Sequence, residues 1–305
     1  MRLTVSREYP LLNPQPGWHV QDPDAIARGV LDAMRAAVSR VDPARIVGIS
    51  ISTARHGLLG LDADLRPVTE LLTWADSRAW KQAETLNEHS TGPRLHHTSG
   101  TPTHPMSPLV KLRWIGENQP EVLTGTAFWV GLKDWVLAVL TGRVATELST
   151  ASGSGMLDME ERSWNPEAIE LSGLRPDQLP PILDTTDTLP LSAAAAAEVG
   201  LPAGLPVVVG AGDGPLGNLG TGAMEPGKAG LSIGTSGAVR MVIRTPAVCP
   251  GCSVTRSRGT CGWPAAPSAT VDSCSAGSPR RTPRVATTRR RADARRRSRP
   301  ARTDW

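Results

Sequence analysis

Between Gly210 and Gly237 the chain reads GAGDGPLGNLGTGAMEPGKAGLSIGTSG, with an acid, Asp213, set among glycines about twenty residues ahead of a second glycine-rich turn. A carboxylate beside bare backbone suits phosphoryl transfer. The acid can take the proton of an attacking hydroxyl while main-chain N–H groups hold phosphate oxygens. Each half alone also has a steric explanation, because glycine turns follow strands in many α/β proteins and an Asp at such a place can cap the next helix.

The elements that must position this acid follow from the patterning. LPVVVG, from Leu205, is a β-branched run that delivers the chain to Asp213, and AGLSIGTSGAVRMVI reads as a hairpin-like unit. Upstream, DPDAIARGVLDAMRAAVSRV places Ile26, Val30, Leu31, Met34 and Val38 on one helical face, with Asp22 as cap and Pro23 at the first helical position. RIVGISIS, from Arg45 to Ser52, follows as a short apolar strand, completing a helix-then-buried-strand unit. GLLGLDADLRPVTELLTWAD has two apolar arms about Asp62 and Asp64 and reads as a hairpin ending at Trp74 and Asp76. Leu109 to Gly116 and Gly131 to Thr141 read as helices, with Gly142 stopping the second. Residues 166–206 mix a helix, proline-rich loops and the run Ala193 to Ala197, as a connection between lobes would.

Composition divides the chain. Residues 246–305 hold 13 Arg, no Lys and three acids, a net charge of +10, which leaves 20 basic and 26 acidic groups in the first 245 residues. The same tail holds all four cysteines, Cys249, Cys252, Cys261 and Cys274, and beyond Pro246 it has no Leu, Ile, Met, Phe or Tyr. With so little to bury, it is expected to stay disordered. The cysteine spacing lacks a second close pair, which argues against zinc, and nothing suggests a secreted disulfide framework. His96 and His97 are adjacent and read as surface residues, so no metal site is expected. The arginines imply only nonspecific attraction to nucleic acid or acidic surfaces. The N-terminus lacks an apolar signal core and no apolar run reaches bilayer length, so the body is expected to be cytoplasmic.

The order of six motifs, ISTARHGLLGLD, LLTWADSRA, GTPTHPMSPLVKLRW, STASGSGMLD, GAGDG and SIGTSGAVR, resembles the FGGY carbohydrate kinase family over residues 8–245, and the third motif most resembles its gluconokinase-like branch. The resemblance implies an α/β fold of two ribonuclease-H-like domains of the actin and hexokinase type, with sugar in the cleft and ATP on the second domain. It implies transfer of the ATP γ-phosphoryl to a sugar or sugar acid, with Mg2+. Gluconate is the first expectation and another substrate such as xylulose the alternative. Asp213 matches the general base; Gly212 and Gly214 beside it, and Gly234, Thr235, Ser236 and Gly237, match the turns that hold ATP phosphates. His56, with Gly57, and the cluster Trp74, Asp76 and Arg78 match sugar-facing positions. Arg55, His104 and Lys111 are further candidates for reading a substrate carboxylate.

The resemblance also sets boundaries. A sugar-binding domain over 1–204 is expected to lack its first strands, since no Asp-x-Gly-Thr phosphate motif is present and the chain starts at what resembles a third strand, Tyr9 to Trp18. Residues 205–245 are expected to be only the start of the C-terminal ATP-binding domain. Read two nucleotides on, Pro250 to Ser257 permits GLFCYAL and Cys261 to Asp272 permits WVAGGAISNGG, so 246–305 is expected to be out of frame after a shift near Val248. An impaired kinase is therefore expected, with a non-catalytic sugar- or partner-binding fragment as the rival reading.

Overall fold

In the computed structural model residues 3–233, 237–243, 252–257 and 268–274 are described, all within one unit spanning 1–275. The strand β1 (Val20–Gln21) leads into α1 (Pro23–Val38), where the Asp22 carboxylate accepts the amide of Asp24 at 2.9 Å and Pro23 opens the first turn. Both start signals were legible in the sequence. A short 3-10 turn then delivers β2 (Ile49–Thr53).

β3 (Leu59–Leu61) and β4 (Leu71–Leu72) flank the expected hairpin, but they do not form one ladder. Isolated bridges join Leu61 to Pro67 and Leu58 to Leu72, while β4 pairs with β1 and β3 pairs with a later strand. Pro67, which has no N–H, sits in the returning arm and interrupts regular pairing. The segment Tyr9 to Trp18 is likewise not a strand. It makes a single bridge, Leu12 to Val20, because Pro10, Pro14 and Pro16 remove three donors.

Four helices follow, α2 (Trp80–Glu88), α3 (Thr91–Ser99), α4 (Pro108–Asn118) and α5 (Pro120–Gly125). Next come β5 (Phe128–Val130), the partner of β3, and α6 (Leu132–Thr141), which ends where Gly142 adopts φ +68°. β6 (Thr146–Glu147) runs straight into α7 (Leu148–Gly153). A small antiparallel pair, β7 (Leu157–Asp158) and β8 (Ser163–Trp164), precedes α8 (Pro166–Ser172) and β9 (Ile182–Leu183), which pairs with β6.

The element order then reaches β10 (Thr188–Pro190), α9 (Ala193–Val199), β11 (Pro206–Gly212) and α10 (Asp213–Gly220). The alanine run is thus a helix: Ser192 accepts the amide of Ala195, and Gly200 closes it with φ +77°. One sheet orders β10, β11 and β2, with β11 antiparallel to β10 and parallel to β2. β11, placed by the sequence at the start of a second domain, is therefore in register with a strand of the first. Its pairing slips between Val208 and Ala211, at Gly210 with φ +76°, where a Cβ would stand 1.9 Å from the Ile51 carbonyl oxygen. Only glycine fits there.

Ile26, Ile51, Leu59, Leu61, Leu137, Leu140, Val207 and Val209 form the main core between α1, α6, α9 and this sheet. Each such side chain taken from water stabilises the fold by about 1.5–3 kcal/mol.

The chain continues as β12 (Ala229–Ile233) and β13 (Gly237–Ile243), the expected hairpin. Two further strands, β14 (Cys252–Ser257) and β15 (Ser268–Cys274), complete an antiparallel sheet of order β12-β13-β15-β14. The expectation of disorder over 246–305 is corrected at these two segments; the rest of that stretch lies outside the described residues. Main-chain pairing of β15 with β13, and of β14 with β15, needs no large side chain, and Val254 and Thr255 of β14 are β-branched and fully buried. Cys252 is disulfide-bonded, which the sequence reading did not anticipate. Its carbonyl accepts from half-buried His96 at 2.7 Å, so that histidine is not a free surface residue.

Candidate active site

Thr53, the last residue of β2, is the register partner of Gly212, the last residue of β11. Parallel neighbours lie about 4.8 Å apart. The loop carrying Arg55 and His56 and the turn carrying Asp213 therefore leave adjacent strands at their carboxyl ends. That edge is where open α/β sheets place ligands.

Asp213 is exposed at the first position of α10, and one carboxylate oxygen accepts the Gly214 amide at 2.7 Å. The cap position of α10 is Gly212, so Asp213 is the first residue of the helix and not its cap. The other oxygen accepts no hydrogen bond from the described residues and faces no ion pair among them. The sequence also assigned phosphate to the amides of Gly212 and Gly214, and here the structure corrects it. Gly212 donates to the Ser149 hydroxyl at 3.0 Å and Gly214 to Asp213, so both donors are engaged within the protein. What these glycines supply is room: a Cβ at 212 would meet the Arg55 stem at 2.5 Å, and one at 214 would meet Arg240 Nε at 2.8 Å. Gly234, Thr235 and Ser236 lie outside the described residues, and Gly237 begins β13, so the backbone brings both ends of that turn together through the pairing of Ile233 with Gly237.

His56 sits in the left-handed region at φ +63°, a conformation a non-glycine residue keeps only when its surroundings enforce it. Two contacts do so. Its Nδ1 lies 2.7 Å from the Gly153 carbonyl, which can only accept, so Nδ1 carries the proton and Nε2 is left with a lone pair. The Lys111 ammonium, itself fully buried, donates to the His56 carbonyl at 2.8 Å and to the Thr73 carbonyl at 2.7 Å. Burial first, then the Arg55 guanidinium, lower the His56 pKa to about 3, with Lys111 and His104 acting in the same sense. Burial also lowers Lys111 to about 7, opposed by Asp76, and lowers His104, next to Lys111. A small solvent-open recess, with a cavity volume of about 40 Å³, lies beside this loop, walled by Trp129, Gly131, Thr150 and Ser154 among others.

The second predicted cluster divides. Asp76 is buried and accepts the His19 amide at 2.9 Å and a forked pair from Arg78, at 2.9 Å to Nε and 2.8 Å to Nη2. Arg78, with a side chain only 5% exposed, stacks its guanidinium 3.6 Å over the Trp18 ring and lies 5.3 Å from Trp114. These two residues are committed to each other, which corrects their reading as ligand-facing. Trp74, 56% exposed, remains open beside them. Lys111 is likewise occupied by two carbonyls, and Arg55, buried against Gly212, donates to the Thr255 hydroxyl.

Sequence reasoning missed Trp18, whose role as a stacking platform depends on a partner sixty residues away, and it missed Glu147. Among the described residues no group of three or more His, Cys, Asp and Glu could hold a metal ion. No helix there is long and apolar enough to cross a membrane.

Residues 4–220 match the FGGY family of carbohydrate kinases, N-terminal domain. The chain belongs to that family. It is 33% identical over 239 residues to a gluconokinase of Bacillus subtilis (strain 168), covering 78% of this chain and 47% of that protein. A xylulose kinase of the same organism is 30% identical over 238 residues, covering 77% and 48%. The crystal structure of gluconate kinase from Lactobacillus acidophilus superposes with TM-score 0.81 at 27% identity, covering 87% of this chain and 53% of that one. The mixed α/β architecture is thus that of FGGY kinases, whose members are phosphotransferases acting on sugars, and the chain spans about half the length of these relatives.

Proposed function

We propose that the chain carries the sugar-side wall and the general base of an ATP-dependent kinase for a sugar acid, gluconate before xylulose, forming 6-phosphogluconate. The observation that carries this reading is the positive charge beside His56: Arg55 is buried next to it, the Lys111 Nζ lies 2.8 Å from its carbonyl oxygen, both act in the same sense as burial to lower its pKa, and Asp76 is paired with Arg78. A carboxylate entering that field gains attraction that a neutral sugar does not. His56 Nε2 would accept from a substrate hydroxyl and Trp74 would offer an apolar face to the carbon chain.

Asp213 would accept the proton of the attacking terminal hydroxyl, since the turn that carries it leaves the same sheet edge as the His56 loop. The turn 234–237 would meet the ATP phosphates in place of the engaged amides of Gly212 and Gly214. Mg2+ is usually held by one or two carboxylates plus the phosphates themselves, which fits Asp213 as the exposed acid at this edge; the ion would neutralise phosphate charge. The reading places the protein in the cytoplasm, with small molecules as its ligands.

Kinase turnover usually lies at about 1–100 per second, and phosphoryl transfer is the measurement that bears on this reading. Incubation with γ-labelled ATP, Mg2+ and gluconate or xylulose tests it. Label should pass to gluconate in preference, and Asp213→Asn should lower transfer by about 10²–10⁴-fold without weakening gluconate binding. Equal transfer by Asp213→Asn would remove the base, and a preference for xylulose would remove the sugar-acid assignment. Gluconate-induced thermal stabilisation with no transfer by the wild-type chain would favour the binding-only alternative.

A further inference from the structure

Glu147 is fully buried at the junction of β6 and α7, and its carboxylate accepts four hydrogen bonds: the amide of Ser149 at 2.7 Å, the Ser149 hydroxyl at 2.8 Å, the amide of Thr150 at 2.9 Å and the Thr150 hydroxyl at 2.7 Å. An ionised carboxylate can only accept. The hydroxyl proton of Ser149 must therefore point at Glu147, and the lone pairs of that oxygen must point away. One of them receives the Gly212 N–H at 3.0 Å.

Gly212 is buried, and it is the residue at which the ladder between β11 and β2 runs out. Ser149 thus supplies the acceptor for the last peptide before Asp213. Capping of α7 alone would not require this, since the two amide bonds to Glu147 already do that work. The same short helix holds His56 at its other end through the Gly153 carbonyl, so α7 ties together the two loops at the sheet edge.

We propose that Glu147, acting through the Ser149 hydroxyl, is a positioning residue for Asp213: it orients the hydroxyl whose oxygen fixes the peptide that launches α10, and so the direction in which the Asp213 carboxylate leaves the strand. The consequence for chemistry rests on the reading of Asp213 as the base, but the geometric claim does not depend on turnover.

The test is amide and carboxyl NMR on the full chain in wild type, Ser149→Ala, Ser149→Thr and Glu147→Gln. Ser149→Ala removes the relay and leaves the two amide bonds that cap α7. It should move the Gly212 amide proton upfield, speed its exchange by about tenfold as one hydrogen bond is lost, and shift the Asp213 carboxyl carbon. Ser149→Thr should restore all three signals. Glu147→Gln, which keeps the side-chain volume but adds a donor that frees the hydroxyl direction, should move the same resonances and stands in should Ser149→Ala not fold. Changes confined to α7, with Gly212 and Asp213 unmoved, would reduce Glu147 to a helix cap and overturn the proposal. So would movement of Gly212 that never reaches Asp213. Neither result bears on phosphotransfer by Asp213→Asn, so the two readings fail separately.

Discussion

Lys111 donates from a fully buried ammonium to the carbonyl oxygen of His56 at 2.8 Å, and with its second bond to Thr73 it pins the loop that carries His56 to the strand arm that leads to Trp74. Replacing Lys111 by Met keeps the stem volume and leaves both carbonyls without that donor. Each buried group left unmatched costs about 1–3 kcal/mol, so urea denaturation should show a loss in that range, partly offset by removal of a desolvated charge. Gluconate binding should weaken with it. An unchanged denaturation midpoint with intact binding would show that the loop does not depend on this lysine.

The pH dependence follows from two depressed basic groups. His56 falls from the usual 6.5 to about 3 in the folded chain, so between those values the unfolded chain holds the proton and the fold does not. Stability from this residue is complete above pH 6.5 and is lost as pH falls toward 3. Lys111, lowered to about 7, gives a second window in which stability rises from pH 7 toward its unfolded value of about 10.4. Urea midpoints at pH 4 and pH 7 should differ less in His56→Gln than in wild type. An equal difference in both would contradict a neutral, buried His56.

Arg78 and Asp76 form a buried pair, and breaking such a pair from one side leaves an uncompensated charge. Arg78→Met should cost about 3–5 kcal/mol in a denaturation experiment, and Arg78→Lys less, since the charge returns without the fork or the stacking on Trp18. A ligand-reading arginine open to solvent would behave differently: its loss would leave stability within about 0.5 kcal/mol and weaken only sugar binding.

What the sequence made legible was local. The start of α1 at Asp22 and Pro23, the stop of α6 at Gly142, and the runs RIVGISIS and LPVVVG that carry His56 and Asp213 are written in adjacent residues, and six motifs in order identify the family. Relations across the chain were not legible. Glu147 reaching Gly212 through Ser149, Arg78 lying on Trp18 and Lys111 bridging two loops depend on register and packing between distant segments, which periodicity does not encode. The strands β14 and β15 were missed for a related reason. Apolar content decides whether a segment can build its own core, whereas β15 pairs along β13 and β14 along β15, and Val254 of β14 packs with Leu148 and Ala151 of α7.

The central claim, that Arg55 and Lys111 make the His56 corner selective for an anionic sugar, is tested most directly by isothermal titration of the chain with gluconate and with glucitol, its neutral counterpart. The account predicts gluconate tighter by at least about tenfold, close to 1.4 kcal/mol, with the advantage shrinking in Arg55→Met. Equal affinities, or a preference for glucitol, would contradict it.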